Sequence, residues 1–374
     1  MTEPPGPDEV EVSLFGPGRG ECVVCHLSDN HWIVVDSCVD PTSREPIALR
    51  YLEELGVDAS TAIKLVVVTH WHDDHIRGIS QVLEVAVQAR FACSQKNNVP
   101  EFFKAIATAT HSDLVDSGLD EFSNVMRVLQ KRRQPRQRKL SVGPIWASEG
   151  LVLHRVDRQA GSPGPVQVMA LSPSPATQTL ALHELRSFVA ERAQPQRRAI
   201  ALSPNQRSIV LSITTGGPSV LLGGDLEQSA NPAVGWEAVV NCPVRPQEFA
   251  SVFKVPHHGS GNADNPRVWT EMLIDAAFAL VAPYPSGIKS LPTTSDVRRL
   301  SSRTENLYCT APPEGWKPPR RESSVERTIR ETARELRVVS REVGHIRVRF
   351  WPSEPHIPPS IQLAPPAMKL VRPG

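Results

Sequence analysis

Short apolar runs, rich in β-branched residues and broken by glycine, proline and polar clusters, recur along the chain. They predict a succession of strands with helices between them. Val10 to Phe15 and Glu21 to Leu27 read as paired strands joined by the turn GPGRG, and His31 to Val35 (HWIVV) as a third strand running into Asp36. Pro46 to Leu55 carries apolar positions at helical spacing and closes at Gly56. Lys64 to Val68 is again strand-like, Ile79 to Ala89 helical, and Arg90 to Cys93 a short strand. This rhythm is that of an α/β protein whose site lies beyond the ends of strands.

From Ser94 to Gly150 the pattern changes: Val99 to Ala109 and Leu119 to Gln130 predict helices, followed by the basic stretch KRRQPRQRKL. Leu151 to Val156 and Val166 to Leu171 return to strand pattern, and Thr179 to Glu191 is helical. Ser208 to Ile213 and Ser219 to Leu222 predict a hairpin around TTGGP. Ala276 to Val281 reads as a buried strand, Ser295 to Ser301 as a helix, and Leu307 to Thr310 and Gly344 to Phe350 as strands. Ser323 to Leu336 predicts a helix with Val325, Ile329 and Leu336 on one face and Glu326 paired with Arg330. Trp351 to Gly374 is proline-rich and predicts a loosely packed tail. No internal repeat is visible.

The chemistry sits where strands stop. The run Leu65 to Val68 ends in Thr69, and His70, His72, Asp74 and His75 follow at once. Three imidazoles and a carboxylate at one spot are costly to desolvate, and a metal ion removes that cost by using them as ligands. Two further strand ends carry candidate ligands. One opens into Gly223, Gly224 and Asp225, where glycines let the backbone pass close to a neighbour; the other delivers His257 and His258.

Charge adds little globally: 41 Lys and Arg against 40 Asp and Glu give a net charge of +1, which gives no electrostatic case for nucleic acid or membrane. The local exception is the basic stretch, where Lys131, Arg132, Arg133, Arg136, Arg138 and Lys139 crowd together. It fits either a phosphate-contacting patch near the site mouth or a solvated loop, and without interleaved aromatics it offers no stacking platform. No apolar stretch approaches the length of a spanning helix, the N-terminus is acidic and proline-rich rather than signal-like, and the six cysteines have no framework spacing. The expected compartment is the cytosol. CVVCH at 22–26 matches a haem-attachment pattern, but in a strand Cys22 and Cys25 point to opposite faces, which argues against that use.

HxHxDH after a hydrophobic strand resembles the signature of the metallo-β-lactamase superfamily. NQRSIVLSI, LLGGDLE and KVPHHGS, in this order, resemble the hydrolase domain of bacterial competence DNA-uptake channel proteins, and choline-phosphate esterases of the same superfamily are similar here. The match runs from Val10 to Phe350, interrupted by Ser94 to Gly150. HxHxDH alone marks the superfamily, whereas GD and HHGS narrow the branch. The resemblance implies a four-layer αββα sandwich. It would form one domain over residues 1–350, with 94–150 as a helical, basic insertion and 351–374 as a tail. It implies that His70 and His72 hold one metal, that Asp74, His75 and one histidine of the HHGS pair hold a second, and that Asp225 bridges them. His257 is the expected ligand and His258 the catalytic or substrate-facing group, with the reverse assignment open. Asp36 either orients a ligand imidazole or caps a turn. Two zinc ions suit the set, with manganese as the alternative. A metal-bound hydroxide is the implied nucleophile, with Asp74 orienting it or accepting a proton.

Two departures from the family pattern stand out. No motif-like histidine lies between the first loop and Asp225, where only His111, His154 and His183 occur, and His154 reads as a strand residue. The metal site built on His70 and His72 is therefore expected to be the more labile. Leu291-Pro292 stands where relatives carry His-Pro, leaving Lys289 as a substitute polar group. The leading expectation is a phosphoester hydrolase acting on nucleic acid or a nucleotide, with Lys131, Arg132, Arg133 and Lys289 contacting substrate. The alternatives are a lactone, thioester or amide hydrolase of the same fold, or a catalytically weak metal-bound module in a larger complex, docked through the C-terminal tail.

Overall fold

The computed structural model describes residues 1–18, 20–94, 113–132, 143–158, 164–191, 204–285, 290–316, 323–332 and 343–370. Along the chain the strands are β1 (Val10–Gly18), β2 (Gly20–Ser28), β3 (His31–Val35), β4 (Ile63–Val68), β5 (Arg90–Cys93), β6 (Ile145–Trp146), β7 (Val152–Val156), β8 (Val166–Ala170), β9 (Leu211–Thr214), β10 (Ser219–Leu222), β11 (Ala250–Lys254), β12 (Leu273–Val281), β13 (Leu307–Cys309), β14 (Gly344–Phe350), β15 (Ser360–Ala364) and β16 (Met368–Lys369). They form two eight-stranded sheets, ordered β15-β14-β1-β2-β3-β4-β5-β6 and β16-β13-β12-β11-β10-β9-β8-β7.

The first sheet is antiparallel from β15 to β3 and parallel beyond, whereas the second is parallel at its centre and antiparallel on both flanks. β3, β4, β5 and β6 run parallel in the first, and β10, β11, β12 and β13 in the second. The parallel strands are covered on both faces, which is why HWIVV, KLVVV and ASVFK are almost uniformly apolar rather than alternating. Between the sheets lies one core that includes Val12, Leu14, Cys25, Val67, Leu222, Val252 and Ile346. The helices Ile47–Glu54, Ile79–Val85 and Asp113–Arg132 cover the outer face of the first sheet. Trp236–Val240, Pro266–Glu271 and Thr294–Ser301 cover the second. The result is the four-layer αββα sandwich expected from the sequence. Cys22 packs in the outer layer and Cys25 between the sheets, on opposite faces of β2 as the strand period requires.

The helix Asp113–Arg132 is part of the outer layer rather than an appendage: Val125, Val128 and Leu129 are buried against the same cluster as Ile79 and Leu83. The helix expected at Val99 to Ala109 lies outside the described residues, as do Leu336 and the side chains of Glu326, Ile329 and Arg330. The loose tail is the clearest correction. Ser360–Ala364 pairs with β14, and Met368–Lys369 with β13, so the tail closes an edge of both sheets instead of standing free for docking. Among the described residues, no helix is long and apolar enough to cross a membrane.

The topology assembles a site. β3, β4, β10, β11 and β12 all end at one edge of the sandwich, and the antiparallel β2 begins there. Two glycines permit the close approach. A Cβ on Gly224 (φ 51°) would lie 2.4 Å from the Ser208 hydroxyl and 2.9 Å from the Ile209 carbonyl. One on Gly20 (φ 125°) would lie 2.1 Å from the Asp74 carbonyl oxygen.

Candidate metal centre

β4 runs out at Val68, and the chain turns through Thr69 to His72 before the short helix Asp73–Ile76. His75 is fully buried, and its Nδ1–H donates to Asp36 Oδ2 at 2.8 Å. Asp36 also accepts from the Thr69 amide and the Thr69 hydroxyl, both at 2.7 Å. With Nδ1 committed, His75 Nε2 faces inward, and it is a buried nitrogen without a hydrogen-bond partner. It lies 3.2 Å from Asp225 Oδ2 and 3.6 Å from Asp74 Oδ2.

β11 delivers the matching imidazole. His258 Nδ1–H donates to the Ala282 carbonyl at 2.9 Å, which leaves Nε2 facing Asp74 Oδ2 at 3.2 Å and Asp225 Oδ2 at 3.6 Å. Ligand atoms of Asp74, His75, Asp225 and His258 all lie within 4.8 Å of one another. His70 and His72 form a second half beside this group. His70 Nε2 is 3.0 Å from His72 Nδ1 and 4.0 Å from Asp225 Oδ2. Because the Thr69 hydroxyl donates to Asp36, it accepts from His70 Nδ1–H at 3.1 Å, which turns His70 Nε2 inward. Asp225 Oδ2 is thus common to both halves.

Electrostatics follow the same division. Burial, then the neighbouring His75, lowers the His70 imidazole well below its ordinary value, and burial likewise lowers His72. Burial would also lower His75 and His258, but the carboxylates of Asp225 and Asp74 outweigh it and raise both. Those imidazoles in turn overcome burial and hold Asp225 and Asp74 below the usual carboxylate range. The spot is built to hold positive charge, and its imidazole and carboxylate donors suit a divalent cation such as zinc.

Of the paired histidines, the structure brings the His258 ring to the cluster and not the His257 ring expected there. The His257 ring turns away from the cluster: Nδ1 lies 3.1 Å from Asn262 Oδ1 and 3.4 Å from Glu227 Oε1, and Nε2 lies 3.2 Å from Asn205 Nδ2. Its backbone amide, not its ring, reaches Asp225, donating to Oδ1 at 3.2 Å. Both histidines have left-handed backbone (φ 47° and 53°), so neighbouring residues project in directions that strand alternation does not predict. Among the described residues, no further histidine joins His70 and His72. His154 Nε2 lies 3.1 Å from His31 Nδ1, and His183 is exposed on the helix Pro175–Glu191. His111 lies outside the described residues.

The expected substrate contacts fare differently. Arg132 is not available as one: its guanidinium donates to the carbonyls of Ala89 (2.8 Å), Ala86 (2.9 Å) and Leu83, capping the end of the helix Ile79–Val85. Lys131 is exposed, and Arg133 and Lys289 lie outside the described residues. Leu291 is buried and exchanges backbone hydrogen bonds with Tyr284, whose ring stacks on His258 with centroids 5.1 Å apart. Sequence reasoning missed Tyr284, Glu21 and Lys254. The last two had a signal, since each is a charged residue inside an apolar strand that is buried throughout.

The family model described as the metallo-beta-lactamase superfamily matches residues 16–263. No curated protein matches the chain. Solved structures align at low identity. The metallo-beta-lactamase fold protein YhfI from Bacillus subtilis shows 12% identity and a TM-score of 0.37, covering 80% of this chain and 95% of that one. A Cronobacter sakazakii metallo-beta-lactamase with a HARLDQ motif shows 14% identity and a TM-score of 0.33, covering 67% and 78%. The dizinc quorum-quenching lactonase AidC shows 15% and 0.29, covering 55% of each chain. With the matched span holding the HxHxDH loop, Asp225 and His258 on the converging edge of a two-sheet sandwich, the chain belongs to the metallo-beta-lactamase superfamily.

Proposed function

We propose that the protein is a metal-dependent hydrolase acting on phosphoester bonds, with nucleic acid or a nucleotide as substrate. The observation that carries the metal-dependent part is the buried, unpartnered His75 Nε2 facing Asp74, Asp225 and His258. In this reading Asp74, His75, His258 and Asp225 hold one divalent ion. His70, His72 and Asp225 hold a second, less completely ligated one. Bound zinc or manganese would lower the pKa of water and stabilise charge on the attacked group. The chain supplies the rest. Asp36 keeps His75 in its ligating tautomer, Asp74 lines the crevice with one oxygen on His258, and the partly exposed His257, backed by Glu227, faces incoming substrate. The phosphoester preference is supported by the resemblance of LLGGDLE and KVPHHGS to a phosphoester-cleaving branch. Six buried cysteines with no framework spacing suit a reducing compartment, and we place the protein in the cytosol.

The test is a substrate panel with metal-loaded protein: bis(p-nitrophenyl) phosphate, single-stranded DNA and RNA on one side, lactones, thioesters and amides on the other. Phosphoester turnover abolished by His72→Ala and by Asp74→Ala is the expected result. Turnover confined to the second group would refute the phosphoester preference and keep the hydrolase. Metal-loaded protein inert towards both groups would leave a non-catalytic metal-bound module.

A further inference from the structure

Beneath the centre lies a charged pair that ligation does not require. Lys254, 1% exposed at the end of a strand that is buried throughout, directs its ammonium at Glu21 Oε1, at the Gly224 carbonyl (2.9 Å) and at Asp225 Oδ1 (3.6 Å). Glu21 is equally buried; its second oxygen has no hydrogen-bond partner and lies 3.6 Å from His258 Nδ1. The carboxylates of Glu21 and Asp36 also come together around His75 Nδ1 as a potential cation site, but the His75 N–H and the Lys254 ammonium already supply the positive charge there.

We infer that Lys254 and Glu21 are positioning residues that fix how Asp225 presents itself to the metals. The two oxygens of Asp225 have separate surroundings. Oδ1 is held from below by the His257 amide and the Lys254 ammonium. Oδ2 alone looks towards His70, His75 and His258. Lys254 also grips the carbonyl of Gly224, the residue that sets the path of the chain into Asp225. The clamp holds Oδ1 back and leaves Oδ2 alone facing the imidazoles, so Asp225 would offer a bound ion that one oxygen. Glu21 holds the ammonium in place and lies beside the far side of the His258 ring. Two buried carboxylates, Glu21 and Asp225, lie against this one ammonium. Lys254 is thus a fixed cation at the base of the centre.

This inference rests on the metal-centre reading, and the experiment separates the two. Glu21→Gln/Lys254→Met removes both charges together, so neither member of the pair is left as an unpaired ion. Zinc affinity is read by chelator competition, stoichiometry by elemental analysis, and the fold of the metal-free protein by thermal melting. The expected result is a metal-free melting temperature close to wild type with zinc affinity lowered roughly 10–100-fold, the range for partners that orient ligands. Zinc affinity within threefold of wild type would overturn the inference, because the pair would then serve only the fold. Wild-type protein that binds no zinc would instead overturn the metal-centre reading. Glu21→Gln/Lys254→Gln, which stays neutral but can still hydrogen-bond, takes the same two readouts should the methionine variant fail to fold.

Discussion

Asp36→Asn is the substitution whose effect the geometry defines best. The carboxylate accepts three hydrogen bonds, from the Thr69 amide, the Thr69 hydroxyl and His75 Nδ1–H, between 2.7 and 2.8 Å. Asparagine matches its shape and tolerates the left-handed backbone found there (φ 58°), so strain is not what changes. It offers one acceptor oxygen to three donors whichever way the amide is turned, and its NH2 group then faces a donor. Hydrogen bonds to a charged group contribute about 1.5–3 kcal/mol each. The Thr69 hydroxyl can rotate away from the new NH2, so a net loss of about 2–4 kcal/mol in the metal-free protein is expected. The second effect is on ligation. With no acceptor at Nδ1, His75 loses the constraint that keeps its lone pair on Nε2, and zinc affinity should fall about 10–100-fold, equivalent to about 1.4–2.7 kcal/mol. Urea unfolding of metal-free protein measures the first effect and chelator competition the second. A folded Asp36→Asn protein that binds zinc within threefold of wild type would refute the orienting role and leave Asp36 as a turn residue.

The paired histidines should separate cleanly. His258→Ala is expected to lower zinc affinity at least tenfold, whereas His257→Ala, whose ring faces Glu227 and Asn262, should leave it within threefold while raising KM; the opposite pattern in competition titrations would restore the assignment made from sequence. Arg132→Ala should destabilise by about 1–3 kcal/mol through its lost carbonyl contacts and leave KM unchanged, which denaturation and kinetics together check. His345, packed on Phe15 and hydrogen-bonded to Ser13, is pushed down to about 3 by burial and then by Arg347. Its folded value lies below its unfolded one, so the unfolded state binds more protons between the two, and stability present at neutral pH is lost as pH falls through 6.5 towards 3. From pH 7 to pH 5 that loss is about 2 kcal/mol, and His345→Phe should flatten this part of the stability profile; an unchanged slope would show that another group carries it.

The parts of the molecule that rest on period and composition were legible beforehand. Continuous apolar runs marked β3, β4, β11 and β12 because strands covered on both faces cannot alternate, and the residues just beyond β4, β10 and β11 were where ligands were sought. Elements defined by pairing were not. Ser360–Ala364 and Met368–Lys369 lie among prolines and half-exposed residues and become strands only because β14 and β13 leave edges to be filled. The choice between His257 and His258 was equally hidden, since it depends on consecutive left-handed residues rather than on side-chain chemistry. Arg132 looked like part of a basic patch because a charge run says nothing of which member turns back onto a helix end.

That left-handed backbone is itself part of how the centre is built. Asp36 (58°), Gly224 (51°), His257 (47°), His258 (53°) and Gly20 (125°) all line the same edge. The cause is topological. Strand side chains point to the two faces of a sheet, so a strand arriving end-on cannot aim a ligand forward into the crevice unless the chain turns immediately after its last pairing. Such turns at non-glycine residues cost about 1–3 kcal/mol each and persist only where surrounding bonds over-determine them. Those bonds are present. The Asp36 amide donates to Val67 at 2.8 Å, tying the end of β3 to β4. The His257 amide reaches Gly224 at 3.1 Å, tying the end of β11 to β10, and the Gly259 and Ser260 amides close on Pro256 and His257 at 2.9 Å. The side chains of the cluster are therefore held by the sheet ends themselves. A centre preorganised in this way should keep its geometry in the metal-free protein, and metal should add to stability mainly by mass action rather than by folding the loop.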